Sequence, residues 1–266
     1  MSQTILYLQF LLLIVFANIM KISIITVVFN SEAYIRATIE NILAQDFPNL
    51  EFIVVDGKST DATMSIVEEY KDRIDIIVSE PDKGIYDAMN KGLRLATGDY
   101  VLFINSGDKL SSSTILSDIL SFDTDNLPDV VYGDTEITDS EGNILHSRRH
   151  RPPENLSWKE FKKGMLVCHQ AFIAKRSLCT EYNTNYRYAA DFDWCINILK
   201  KASSVYNTHK VIALFMDGGQ TKKTIVPGLK ERFRIMCTHY GKCSAIFANI
   251  KLGFKFAWWR LWHKWF

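Results

Sequence analysis

Residues 79–108 read SEPDKGIYDAMNKGLRLATGDYVLFINSGD. Within that stretch Ile85, Ala88, Met89, Leu93 and Ala96 recur at helical spacing, and Gly98 stands where a helix-ending glycine belongs. YVLFI (100–104) follows at once as a strand, and it runs out into the polar turn Asn105-Ser106-Gly107-Asp108. A helix that delivers directly into an apolar strand ending in polar residues is one step of a parallel βαβ chain. The steps before it have the same form. KISIITVVF (21–29) reads as a strand buried on both faces, after which Asn30 offers an N-cap, Glu32 suits the first turn, and Ile35, Ile39 and Ile42 mark a helix. EFIVV (51–55) is the next strand. A second helix opens near Ser59 to Asp61 with Thr63, Ile66, Val67 and Tyr70, and IDIIV (74–78) is the third strand. Four such alternations predict a doubly wound α/β sheet whose ligand sits at the carboxyl ends of the strands.

The residues at those ends are Phe29-Asn30, Asp56-Gly57, Ser79-Glu80-Pro81-Asp82 and Asn105 to Asp108, so carboxylates gather on one edge. No GxGxxG follows the first strand and no GxxxxGK[ST] occurs, which excludes a dinucleotide fingerprint and a P-loop. Phosphates bound here would be held another way, and a divalent cation on a carboxylate is the obvious route.

The chain has 266 residues, 47% apolar and 23% charged, which suits one large domain and excludes a disordered or fibrous protein. Its five cysteines form no CxxC pair, so neither a disulfide framework nor a zinc knuckle is indicated, and a reducing compartment is expected. Glu231 is the last acidic residue, so the first 231 residues carry 24 basic against 30 acidic side chains, and the remainder carries seven cations with no acid. Trp258, Trp259, Trp262 and Trp265 lie among Arg260, His263 and Lys264. Aromatics interleaved with cations suit a membrane interface, and a helix packed on the main domain is the alternative. The acidic remainder argues against nucleic acid. Ile5 to Met20 is almost entirely apolar, yet its sixteen residues fall short of the about 20 that a span requires. Either Met20 is an alternative start with residues 1–19 outside the fold, or this stretch is a membrane anchor.

SIITVVFN (23–30), VVDGKSTDAT (54–63), the stretch 79–108, CHQAF (168–172) and AADFDW (189–194) resemble, in order and spacing, the family 2 inverting glycosyltransferases of GT-A fold. The similarity covers about residues 20–220 and is to the branch making bacterial surface polysaccharides, of the colanic-acid type. It implies a Rossmann-like, mostly parallel sheet flanked by helices, with residues 221–266 as a helical, basic and aromatic extension. It places Asp56 on the base of a nucleotide-sugar donor with Phe29 stacked nearby. Val27, Asp82, Lys83, Asn90 and Asn105 fall on the same donor side. Asn105 to Asp108 stands where the family usually carries Asp-x-Asp, with only the last acid kept, so Asp108 and the Asn105 carbonyl are the implied ligands of Mg²⁺ or Mn²⁺. Asp191 matches the catalytic base at the start of a helix, and His169, Gln170 and Asp193 line the acceptor side. Asp193 is about 200° around the helix from Asp191, hence supporting or solvent-facing. The loop 217–221 would close over the donor, with Thr221 matching the Ser or Thr that family members carry near this glycine pair and Lys222-Lys223 in contact with phosphate; a solvated turn is the alternative.

Each residue also has a plain structural reading: Asp56 as a turn residue before Gly57, Asn105 to Asp108 as a loop, Asp191 as an N-cap and His169 as a core histidine. The function that the resemblance implies is inverting transfer of a sugar from a nucleoside-diphosphate donor to a glycan or lipid-linked acceptor, at the inner face of the cytoplasmic membrane. Two rivals remain. A sugar nucleotidyltransferase would show a Gly-rich, basic loop after the first strand, where FNSEAY stands. A non-catalytic nucleotide-sugar-binding or membrane scaffold protein would explain the depleted acidic motif.

Overall fold

The strand ISIITVV, rich in β-branched residues, takes the middle of the sheet. In the computed structural model, which describes residues 20–122, 127–218 and 225–251, this strand is β1 (Ile22–Val28), and all seven of its residues are buried. β2 (Leu50–Asp56) pairs with it in parallel, bringing Val28 opposite Asp56, and β3 (Ile76–Ser79) continues outward, with Asp56 opposite Ser79. β4 (Tyr100–Phe103) lies parallel on the other side of β1. The crossovers are α1 (Ile35–Leu43), α2 (Thr63–Glu68) and α3 (Ile85–Leu95). The resulting order β3-β2-β1-β4 places every carboxyl end on one edge, as a right-handed βαβ chain requires.

Beyond β4 the sheet becomes mixed. β8 (Phe172–Lys175) runs antiparallel to β4, and β6 (Val130–Thr138) runs antiparallel to β8. β9 (Val205–Met216) lies parallel to β6, β5 (Lys109–Leu110) closes that edge, and β7 (Ile144–Ser147) forms a ribbon with β6. A short helix, α4 (Ile115–Ile119), follows β5, and α5 (Ala190–Lys201) and α6 (Ile225–Tyr240) pack together on the far half. Residues 242–251 form a last helical run. The expected α/β sheet with flanking helices is therefore present, but it is parallel only through β3-β2-β1-β4 and between β6 and β9; the other pairings are antiparallel, so the sheet is mixed and not mostly parallel.

Three local expectations are corrected. Asn30 is not an N-cap: α1 opens at Ile35, and Asn30 is held at φ +46° with its Oδ1 accepting from Thr60 N, tying the first loop to the second. Gly98 does not end a helix, since α3 stops at Leu95. A Cβ at Gly98 would stand 2.7 Å from Ser23 N and 2.6 Å from Ser23 Oγ, so close approach to β1 is what requires glycine. Ile85, assigned to the buried stripe, is exposed, and Tyr86 is buried in its place because its hydroxyl has a carboxylate partner. Residues 1–19, the loop holding Thr221 and Lys222-Lys223, and the Trp-rich segment 252–266 lie outside the described residues. Among the described residues no helix is long and apolar enough to cross a membrane.

Candidate active site

The first part of the site is the edge where β1, β2 and β3 end. Asp56 closes β2 and is fully buried, and its carboxylate accepts from Ser59 N, from Ser59 Oγ at 2.5 Å and from Ser79 Oγ at 2.6 Å. Beside it Gly57 is packed so tightly that a Cβ would stand 2.3 Å from Asp82 Oδ2 and 3.4 Å from the Phe29 ring. Phe29 is 60% exposed, so an aromatic face, a glycine backbone and two carboxylates meet at one open corner. Asp82 is fixed in turn by Gly84 N, 2.8 Å from its Oδ1. Lys83 is exposed, with its N–H on Asp87, and Val27 is buried in the β1–β2 ladder. Asn90 is elsewhere: both ends of its amide are consumed by Tyr182, whose carbonyl accepts from Nδ2 at 3.0 Å and whose N–H donates to Oδ1 at 2.7 Å. It fastens α3 to the 182 segment.

The turn after β4 is built differently from the expectation. Asp108 is buried, with Oδ2 accepting from Gln170 Nε2 at 2.6 Å and Oδ1 from Met216 N at 3.1 Å. Burial pushes its carboxyl up to about 7, against those two hydrogen bonds. Gly107 sits at φ +98°, and a Cβ there would stand 2.6 Å from the Met216 methyl. Asn105 Oδ1 is buried without a partner.

Asp191 lies one residue inside the start of α5, in the first turn, where unpaired helix N–H groups suit a carboxylate. Its Oδ1 accepts from Phe192 N at 2.9 Å and from the Tyr86 hydroxyl at 3.1 Å. Among the described residues nothing donates to Oδ2. Tyr86 is four residues beyond Asp82, so the first turn of α3 links the donor corner to this carboxylate. Its ring stacks on Tyr182, which stacks on Trp194 and meets the edge of Phe103. Burial, and after it the charge of Asp191, push the Tyr86 phenol up.

His169 belongs to that aromatic cluster. It is buried, stacked on Phe103 with its Nε2 at 2.6 Å from the Tyr182 hydroxyl, and burial lowers its pKa to about 4. Gln170, next in the same short turn, is the partner of Asp108. Asp193 is neither solvent-facing nor beside Asp191: it is buried, with Oδ1 at 2.6 Å from His239 of α6 and Oδ2 accepting from Asn197.

Three participants were not visible as such in the sequence. Glu231 of α6 accepts the backbone N–H groups of Arg187, Tyr188 and Ala189, the residues that lead into α5, at 2.7–3.1 Å. Arg232 lies over the Phe192 ring at 5.4 Å with a buried, unpartnered Nε, and burial pulls its pKa down against the pull of Asp191. Tyr86 completes the set. Glu231 had entered the sequence argument only as the last acid of the chain.

The sequence profile described as Glycosyl transferase family 2 matches residues 23–182, a span that includes Phe29, Asp56, Asp82, Asp108 and Gln170. The chain belongs to glycosyl transferase family 2. A PGL/p-HBAD biosynthesis glycosyltransferase of Mycobacterium bovis (strain BCG / Pasteur 1173P2) is 33% identical over 214 residues, which are 77% of this chain and 80% of that protein. The putative teichuronic acid biosynthesis glycosyltransferase TuaG of Bacillus subtilis (strain 168) is 29% identical over 196 residues, 72% of this chain and 77% of its own. Among solved structures, S. aureus TarS 1-349 in complex with UDP superposes with a TM-score of 0.67 at 20% identity, over 88% of this family 2 chain and 70% of that one. Against the longer TarS crystal structure the chain spans 43% of the length. The mannosyltransferase PcManGT from Pyrobaculum calidifontis, in complex with GDP-Man and Mn²⁺, gives 0.57 at 17%, over 88% of this chain and 75% of its own. At these identities the structural likeness shows the GT-A fold alone.

A divalent cation is what the fold family implies, and the residues here do not make its site. A hard cation takes several oxygen ligands, with carboxylates foremost. Both Asp108 oxygens are used by protein donors, Gly107 is held at φ +98°, where a side chain would be strained, and Asn105 supplies one neutral oxygen. Among the described residues no group of three His, Cys, Asp or Glu side chains converges.

Proposed function

We propose that this family 2 glycosyltransferase moves a sugar from a nucleoside-diphosphate donor to a hydroxyl of a glycan or lipid-linked acceptor, with inversion at the anomeric carbon. The observation that carries the reading is Asp191. One oxygen is clamped by Tyr86 and by its own helix and the other is open, on a residue that the α3 turn connects to the Phe29–Asp56–Asp82 corner. In the proposed step Asp191 Oδ2 takes the proton of the acceptor hydroxyl as that oxygen bonds the anomeric carbon. The bond from that carbon to the diphosphate oxygen breaks on the opposite face, and the electron pair leaves with the nucleotide. A retaining route would require a second, nucleophilic carboxylate, and Asp193, the nearest in sequence, is turned away onto His239.

Phe29 and Asp56 suit a nucleobase. A flat exposed ring stacks on the base, and Asp56 closes the bottom of the corner, its carboxylate fixed by Ser59 and Ser79. Asp82 and Lys83 lie where the sugar and phosphates would follow. No step is assigned to a divalent cation, because the β4 turn does not offer its ligands. Five free cysteines accord with a reducing, cytoplasmic setting, and the cationic C-terminal part suits the inner membrane face.

Thermal shifts with UDP-, GDP- and dTDP-sugars, followed by the anomeric configuration of the product formed with a membrane extract as acceptor, test the proposal. A stabilising sugar nucleotide and an inverted product support it. A product of retained configuration, or donor binding with no transfer, contradicts it.

A further inference from the structure

Among the described residues, the two C-terminal helices carry exposed apolar side chains that the candidate active site does not use. Val226, Leu229, Lys230 and Phe233 recur at i, i+3, i+4 and i+7 on α6, the spacing of a single helical stripe. The opposite side of α6 is already occupied: Ile235 and Met236 are buried, and Glu231 and His239 are bonded to the α5 region. Val226 and Leu229 are therefore left over after the helix has docked, while Phe233 packs in part against the core. On the run 242–251, Ile246, Phe247 and Ile250 are exposed on one side, Phe247 to 71%, while Ala245 is buried against the rest. Between the two helices lies an open, shallow depression of about 410 Å³ lined by Val226, Leu229, Lys230, Phe233, Arg234 and Asn249. Val226 is 62% exposed and Leu229 54%. Large apolar side chains exposed together on two neighbouring helices point to an interaction site.

The charge pattern around the patch selects the partner. Lys230 and Arg234 flank the depression, Lys242 and Lys251 stand exposed on the second helix, and no Asp or Glu follows Glu231. A second copy of the chain meeting this face through a two-fold axis would set Lys230 and Arg234 against themselves. An acidic nucleic acid would leave the apolar stripe unused. A bilayer with anionic headgroups satisfies both components, taking the apolar side chains at the headgroup boundary and the ammonium and guanidinium groups at the phosphates. The sequence that follows, residues 252–266, continues the same composition with four tryptophans and three further cations.

We propose that the α6 stripe and the 242–251 helix form a docking surface for an anionic lipid bilayer. The consequence for the site comes through α6, whose Glu231 and His239 hold the start and the first turns of α5. Docking would fix the helix that carries Asp191 relative to a membrane in which a lipid-linked acceptor sits. That last consequence rests on the glycosyltransferase reading, whereas the docking itself does not.

The test is co-sedimentation of the full chain with vesicles of phosphatidylcholine alone and of phosphatidylcholine with one third phosphatidylglycerol. The wild type should bind the anionic vesicles at least tenfold better, with binding falling as NaCl rises. The double variant Leu229→Glu, Phe247→Glu should lose at least tenfold of that binding, and Lys230→Gln with Arg234→Gln should flatten the salt dependence. Neither pair touches the donor corner, so the thermal shift with the stabilising sugar nucleotide should be unchanged, which also shows that the variants are folded. If the glutamate variant fails to fold, the glutamine pair alone decides the matter through its salt dependence. Vesicle binding equal to wild type in both pairs overturns the proposal and assigns any membrane contact to residues 252–266 or 5–20. A wild type that ignores anionic vesicles overturns it too, as does a dimer in light scattering that the glutamate pair dissociates. Loss of donor binding in the wild type would defeat the proposed function and leave the docking surface standing.

Discussion

Asp191 and Tyr86 are separated by 105 positions in sequence and by 3.1 Å in space, and the hydrogen bond between them fixes the carboxylate that the proposed chemistry uses. Tyr86→Phe keeps the ring stacked on Tyr182 and removes only the donor to Oδ1, so kcat should fall by about tenfold, as a lost hydrogen bond to a charged group implies. The KM for the donor should stay within about twofold; an unchanged kcat would show that Oδ1 is held well enough by Phe192 N. Asp108 supplies the opposite case. Replacing it with alanine leaves the buried Gln170 amide and the Met216 N–H without their acceptor, which should destabilise the fold by about 1–3 kcal/mol in urea titrations. Donor affinity should respond to Mn²⁺ no more than about twofold in either protein. A tenfold tightening by Mn²⁺ in the wild type that vanishes in Asp108→Ala would restore the metal-ligand role that the resemblance implies. At this scale the sequence conveyed residue identity and missed partners. Asp191, Asp56 and Asp108 stood out in their motifs, whereas Asn90, His169 and Asp193 each carried a plausible chemistry that buried hydrogen bonds consume. Tyr86 was hidden because a period of apolar residues selects Ile85 over a tyrosine whose polar end has a partner far along the chain.

Among the elements, α6 acts on α5 as a clamp. Glu231 gathers three N–H groups from the segment that leads into the helix, and charge-assisted hydrogen bonds of that kind are the stronger ones. Glu231→Gln should lower kcat by about tenfold with little change in donor KM, because the segment it steadies positions the base and does not touch the nucleotide. Equal losses in kcat and in donor affinity would mean that α6 supports the whole domain. The short turn His169–Ala171 makes a second prediction, because two buried groups with opposed titrations meet there. His169 ionises only near pH 4 when folded, against about 6.5 when unfolded, so its contribution to stability is full above 6.5 and is lost as pH falls towards 4. Asp108, raised to about 7 in the fold, does the reverse and stabilises as pH falls below 7. Between pH 7 and 5 each is worth about 2 kcal/mol, and they nearly cancel. His169→Gln should then gain about 2 kcal/mol relative to wild type on going from pH 7 to 5 in urea titrations. Parallel curves for the two proteins would contradict the burial argument. Elements were the most legible level. The parallel strands announce themselves through unbroken β-branched runs, whereas the mixed half, with β8 inserted between β4 and β6, depends on pairings between distant segments that no local pattern encodes.

For the whole molecule, the division of charge in the sequence corresponds to a division of labour in space. The first 231 residues carry the carboxylates of the strand edge, and the helices of residues 225–251, across which the charge changes sign, reach back onto α5 and leave exposed apolar and basic side chains outward. The central claim is that Asp191 removes the acceptor proton during sugar transfer, and Asp191→Asn tests it most directly. With a radiolabelled sugar nucleotide and a membrane extract as acceptor, the wild type should transfer label. The variant should bind the donor within a few-fold of wild type and transfer it at least about 10³-fold more slowly, the range expected when a general base is removed. Transfer by Asp191→Asn at a rate near that of the wild type, with donor affinity unchanged, would contradict the account.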